Sequence, residues 1–196
     1  ANLEKAESVP TPITDATGDA APEPFATPGM KTIDDLAQFT GESPARLIKT
    51  LDFMAESQPV VLLLRGDHSL SETKLAAVLG TATFRPATPD EALKLHGANL
   101  GSLGPVGLKG VRIIADRALE GRRNMISGAN RDGFHLHNVT PGRDFTADFA
   151  DLRAVNPGDG CIRCGRTLVL TKSIELGHVF KLGRRDSEAM HASVLD

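Results

Sequence analysis

The chain has 196 residues, 40% of them apolar, and a formal net charge of −3, enough for one sizeable core and a small appendage. No run approaches the ~18 apolar residues of a membrane span and no basic-then-apolar leader opens it, so a membrane-embedded chain is excluded and a cytoplasmic one is expected. With no Trp or Tyr beside its eight Phe, it lacks the stacking platforms of a generic single-strand binder.

It begins at Ala1 rather than Met, which predicts a processed product or a piece cut from a longer polypeptide. Residues 1–24 open with charged Asn2-Leu3-Glu4-Lys5-Ala6-Glu7 and continue as a Pro/Thr/Ala/Asp stretch carrying Pro10, Pro12, Pro22 and Pro24. Such composition buries too little apolar surface to order itself and predicts a linker. Structure is expected from Phe25 onward. Thr32 and Asp35 read as the cap and N3 acid of a helix that runs through Phe39 and stops at Gly41, and Ser43-Pro44 opens a second. Thr50 to Ala55 then alternates as a half-buried strand does. Val60 to Leu64 is uninterrupted apolar, the pattern of a strand covered on both faces. After the turn at Arg65-Gly66-Asp67, Ser69 and Glu72 have capping-box spacing for a helix whose seam is Leu75, Val78 and Leu79. Lys74 lies beside that seam in the positive half of the helix, where the macrodipole gives a lysine nothing. Its stem packing along the seam is the plain structural alternative to a functional role.

A short strand follows around Thr81 to Arg85. Thr88-Pro89-Asp90-Glu91 supplies cap, N1 proline and N3 acid for a helix to His96, closed by Gly97. Gly101-Ser102-Leu103-Gly104-Pro105 is an irregular loop in which glycine permits close backbone approach and proline stiffens the presentation. Strands are expected at Val111 to Ala115, Asn124 to Ser127 and Phe134 to Val139, with His135, His137 and Val139 on one face of the last. Between 109 and 143 lie seven bases (Lys109, Arg112, Arg117, Arg122, Arg123, Arg131, Arg143) against three acids, which suits either a bound polyanion or an ordinary solvated surface. Cys161-Ile162-Arg163-Cys164 is half of a four-ligand zinc site, so free thiols or a remnant knuckle are the expectation. Strand-like runs at Thr167 to Thr171 and 174–182, and a closing helix over 187–195, complete an α/β chain with a mixed sheet surrounded by helices.

Several of these blocks together resemble the insertion (editing) domain of bacterial prolyl-tRNA synthetase. They are Phe25-Ala26-Thr27-Pro28-Gly29 with Lys31-Thr32-Ile33, Arg65-Gly66-Asp67-His68 followed by Lys74, Gly101-Ser102-Leu103-Gly104-Pro105-Val106, Ile114-Ala115-Asp116-Arg117, Gly128-Ala129-Asn130-Arg131-Asp132-Gly133-Phe134-His135 and Asp151-Leu152-Arg153. The resemblance covers 25–157. Residues 2–7 and 175–190 resemble the class II catalytic core on either side of the insertion, although Arg184-Arg185-Asp186 departs from its pattern. This implies three parts: a linker and core stub over 1–24, an editing domain over 25–157, and a return segment over 158–196.

The resemblance also implies the mixed α/β fold of free-standing trans-editing deacylases, and hydrolysis of alanine mischarged on proline tRNA. Alanine is smaller than proline, so a synthetic pocket cannot exclude it by size. Lys74 is the implied electrostatic residue. Gly101, Ser102, Gly104 and Pro105 form the implied loop that meets the ester with backbone donors. Thr50 and Asp116 would hold the substrate amino group, and His135 would bound an alanine-sized pocket or act as base. Implied partners are the 3′ end of proline tRNA, the rest of the synthetase chain and a second copy of the parent enzyme. No metal or organic cofactor is implied, ATP and Mg serving the parent enzyme only. A tRNA-docking module without catalysis, and a related deacylase for cysteine or another small amino acid, are the competing functions.

Overall fold

Strand β4 (Gln58–Arg65) runs through the centre of the molecule, and its apolar run is buried from both sides. Val61 and Leu63 face one core with Ile48, Ala115, Leu119, Met125, Val139 and Phe145. Leu62 and Leu64 face a second with Phe53, Leu75, Ile114 and Leu152. The computed structural model describes every residue except 1, 2, 4, 173, 175, 178, 180–182, 185–187 and 192–196. The expected strand over 174–182 and helix over 187–195 therefore lie largely outside the described residues.

In chain order the elements before β4 are β1 (Ser8–Val9), β2 (Glu23–Ala26), α1 (Ile33–Thr40), a 3-10 turn (Pro44–Arg46) and β3 (Ile48–Ala55). After it come α2 (Glu72–Leu79), β5 (Phe84–Pro86), α3 (Pro89–His96), β6 (Arg112–Asp116), β7 (Met125–Gly128), β8 (Phe134–Val139), β9 (Asp148–Ala150) and β10 (Gly160–Cys161). A five-stranded mixed sheet has the order β5-β3-β4-β6-β9, with β4, β6 and β9 parallel. A three-stranded antiparallel sheet, β2-β8-β7, packs against it through the first core. The Leu47–Ile126 bridge joins the two.

The caps at Thr32 and Thr88 form as complete capping boxes, and Gly41 and Gly97 close their helices in the left-handed region. The cap of α2 is Ser71, not Ser69. Ser69 and Ser71 exchange backbone hydrogen bonds with Ala154 and Leu152, which holds this segment extended and delays the helix. The helix expected from Ser43 is a single 3-10 turn, because Leu47 leaves it to enter β3. On β8 the expected face fails at Val139. Asn138 adopts φ 59°, which breaks the alternation, and Val139 joins Leu136 in the core between the sheets.

The N-terminal segment differs most from expectation. Its composition predicts no order, yet residues 8–26 lie strapped along the domain. β1 pairs with β10 and β2 with β8. Asp15 takes a bidentate bond from Arg122 at 2.6 and 2.7 Å, Asp19 one from Arg143 at 2.7 Å, and the carbonyls of Ala16 and Gly18 accept from Asn124. Composition registers apolar burial, whereas this strap is held by polar bonds to groups more than 100 residues away.

Candidate functional site

One groove, of about 310 Å³, opens between the start of α1, the start of β3 and the loop at 100–103. Its wall includes Lys49, Thr50, Gly101, Leu103, Gly128 and His135. Lys49 and Thr50 come from β3, which pairs Lys49 with Leu64 and Thr50 with Leu63 across the hairpin, so the deepest strand fixes their position.

The Lys49 ammonium donates to the His68 carbonyl at 2.7 Å. Burial pushes its pKa below the usual lysine range, with Asp67 and Asp34 opposing in part. The hydroxyl of Thr50 is buried and has no protein partner among the described residues, a polar group whose desolvation a ligand or a water would offset. Next to the loop, His135 sits with its Nδ1 2.6 Å from the Thr27 hydroxyl. Burial holds the ring down to about 4, and a contact with the Gly101 backbone offsets only part of that. The ring is therefore neutral near pH 7.

The loop lies backbone-to-backbone on β7. A Cβ at Gly104 would stand 2.0 Å from the Gly128 carbonyl oxygen, and one at Gly128 would stand 2.1 Å from that of Leu103. Asn130, in a left-handed conformation, clamps the loop: its Oδ1 accepts from the Gly104 amide at 2.8 Å, and its Nδ2 donates to the carbonyls of Gly104 and Val106. The Ser102 hydroxyl accepts from the Gly133 amide. Ser102, Gly104 and Pro105 thus build the loop and do not line the groove. Gly101 and Leu103 do line it, and their amides make no hydrogen bond within the described residues.

Thr50, Gly101 and His135 are brought together. Lys74 and Asp116 are not part of that groove. The Lys74 ammonium is buried and already occupied, by Asp151 at 2.8 Å and the Arg153 carbonyl at 2.8 Å. Asp116 accepts from the amides of Leu152 and Arg153 at 2.8 and 3.1 Å and caps the turn at Ala118. Lys74 ties α2, and Asp116 the end of β6, to the segment between β9 and β10. The position of Lys74 in the helix has a structural reason: it answers a carboxylate and a carbonyl from the segment that follows β9.

Sequence reading missed Lys49, Leu103 and the Thr27 partner of His135. The alternation Ile48-Lys49-Thr50 was available as a signal that β3 begins before Thr50. The basic stretch at 109–143 is largely spent within the molecule. Arg122 and Arg143 hold the strap, Arg112 meets Asp148 at 3.4 Å, and Arg131 lies 3.8 Å over the Phe134 ring. Among the described residues no three His, Cys, Asp or Glu converge to hold a metal, and Cys161 and Cys164 are free thiols. No helix among them is long and apolar enough to cross a membrane.

Comparison with known proteins follows the same line. The model of the aminoacyl-tRNA editing domain matches residues 27–145. The proline–tRNA ligase of Anaeromyxobacter sp. (strain K) is 46% identical over 200 residues, covering all of this chain and 35% of that protein. That of Acidobacterium capsulatum is 43% identical over 217 residues, covering 37% of its length. The chain therefore spans about a third of the curated relatives it matches. A solved structure of a candidate trans-editing enzyme for prolyl tRNA synthetase, 24% identical, superposes over 68% of this chain and 87% of its own with a TM-score of 0.60, so the fold is shared. By its sequence match the chain belongs to the aminoacyl-tRNA editing domain family.

Proposed function

We propose that the groove hydrolyses the ester of a mischarged aminoacyl-tRNA, with alanine on proline tRNA as the substrate. The observation that carries this is that one small groove is lined by a partly desolvated lysine, a threonine whose buried hydroxyl has no protein partner among the described residues, and Gly101 and Leu103, whose amides make no hydrogen bond among them. The ester carbonyl sits at the amides of Gly101 and Leu103, and the Thr50 hydroxyl takes the substrate amino group. Water adds to the carbonyl, and the oxyanion that forms is stabilised by donors fixed beforehand and by the Lys49 charge; one such donor is worth about 3–4 kcal/mol where it has been removed from a protease. Collapse breaks the ester C–O bond, the proton lost by the water passes with the help of the neighbouring 2′-hydroxyl to the leaving ribose oxygen, and the free amino acid is released.

His135 bounds the pocket in this reading. A ring with a pKa of about 4 is a weak base at neutral pH, and Thr27 already occupies Nδ1. The editing step uses no metal or organic cofactor, so chelation leaves its rate unchanged. The partners are the 3′ end of proline tRNA and the remainder of a proline–tRNA ligase, a homodimer that keeps ATP and Mg to its own active site.

The test is deacylation of proline tRNA charged with alanine, cysteine or proline, by wild type, Lys49→Ala and Lys74→Ala. Fast release of alanine, retention of proline and loss of rate in Lys49→Ala alone are expected. Binding without hydrolysis would instead favour a docking module, and preferential release of cysteine a related deacylase.

A further inference from the structure

Beyond the groove lies a polar cluster that the reaction itself does not use. His96, the last residue of α3, has a side chain with no solvent exposure, and so nearly does Asp52. The ring reaches in two directions: Nε2 is 3.0 Å from Asp52 Oδ1 and Nδ1 is 2.8 Å from Asn130 Oδ1. Burial disfavours the charged ring, but the hydrogen bond and charge of Asp52 outweigh it and raise the pKa above 6.5. Of the groups that raise it most, Asp52 is charged, and Asn130 and the Gly104 backbone are neutral. The C-terminal carbonyls of α3 favour the same cation. A charge pair buried this deeply costs stability to assemble unless the geometry returns something.

What it touches supplies the return. Asp52 stands two residues along β3 from Thr50, on the same face of the strand. Asn130, at the other end, is the clamp on Gly104 and Val106. We infer that Asp52 and His96 are a positioning pair, fixing the Asn130 clamp to the sheet so that the Gly101 and Leu103 amides are held against Thr50 across the groove. The pair touches no substrate. It sets the separation of the two walls that do.

Only the kinetic arm of the test rests on the deacylase reading. In the full chain, His96→Phe keeps an aromatic ring, somewhat larger than imidazole, and removes both bonds. It is expected to lower kcat about tenfold or more with KM for the aminoacyl-tRNA nearly unchanged, and to accelerate hydrogen exchange of the Gly104 amide by about tenfold. His96→Gln, which keeps a polar group to bridge the partners, should restore part of both. A folded His96→Phe protein with wild-type kcat, or with Gly104 exchange unchanged, overturns the inference. Should that variant not fold, Asp52→Asn decides: the His96 ring, followed by NMR, must titrate lower and Gly104 must exchange faster, and no change in either overturns it. If the wild-type chain hydrolyses no aminoacyl-tRNA, the deacylase reading falls while Gly104 exchange still decides the positioning role.

Discussion

Replacing Gly104 by alanine adds one methyl group at the tightest backbone contact of the site. The new Cβ would stand 2.0 Å from the Gly128 carbonyl oxygen and 2.8 Å from both the Gly128 carbonyl carbon and the Ser127 hydroxyl, where real Cβ atoms stay beyond 3.0 Å. Loop and strand must therefore part by about 1 Å, and neither is a side chain that can rotate away. Asn130 grips Gly104 at both its amide and its carbonyl, so the movement also loosens the clamp. Overpacking of this kind costs about 1–3 kcal/mol of stability. A displacement of about 1 Å at reacting groups costs on the order of 100-fold in rate, equivalent to about 2.7 kcal/mol of barrier. Single-turnover deacylation and a thermal melt measure the two effects separately. Gly107→Ala is the control: its φ of 83° makes the substitution strained, but nothing lies within 4 Å, so it should cost about 1–2 kcal/mol with kcat preserved. A Gly104→Ala protein with wild-type kcat and wild-type Tm would refute the packing argument.

The two lysines should separate cleanly. Lys49→Met is expected to remove most deacylase activity with little change in Tm, whereas Lys74→Met strands the Asp151 carboxylate. The cost of Lys74→Met falls toward the lower end of about 3–5 kcal/mol, because Asp151 keeps 24% of its side chain in water; the reverse pattern in melts and turnover would exchange their roles. For pH, the His135 ring has a folded pKa of about 4 against 6.5 unfolded, so the unfolded chain binds the extra proton between those values. Stability is therefore full above about 6.5 and falls as pH drops toward 4, by about 3 kcal/mol for this ring. His68, likewise held to about 4 by burial and then by Arg65, acts in the same direction. His96 has the opposite sign: its raised pKa contributes stability below 6.5 that is lost as pH rises through the folded value. Urea titrations from pH 4 to 8 check this, and flat stability below 6.5 would contradict the burial of these rings. Asp15→Ala leaves the Arg122 guanidinium, 11% exposed, without its carboxylate; faster protease cleavage within residues 10–22 is expected, and unchanged cleavage would show that the strap does not depend on that pair.

What the sequence disclosed and what it hid follow from range. Capping boxes at Thr32 and Thr88 are decided within four residues, so spacing alone located them. The five apolar residues of β4 required two covered faces, and the fold provides two cores. Lys49 was hidden because its place depends on register with Leu64 across a hairpin, and Ile48 reads equally well as the end of a helix. The partners of Lys74 were hidden for the complementary reason: Asp151 and Arg153 lie 77 and 79 residues downstream. The basic stretch invited a polyanion, and the acids that meet Arg122 and Arg143 were in the segment whose composition predicted no order.

The pairing of β1 with β10 also constrains how the molecule comes together. Ser8 and Asp159 are 151 positions apart and Asp15 and Arg122 are 107 apart, so each contact closes a very long loop and depends on polar bonds that bury little core. Such contacts have nothing to hold them until the sheets exist, and they sit at the low end of the local opening energies. The strap is accordingly the last part to assemble and the first to let go. At denaturant concentrations that leave the β4 amides fully protected, the amide protons of residues 8–20 should already be exchanging with solvent, a stage of release that precedes any loss of the groove.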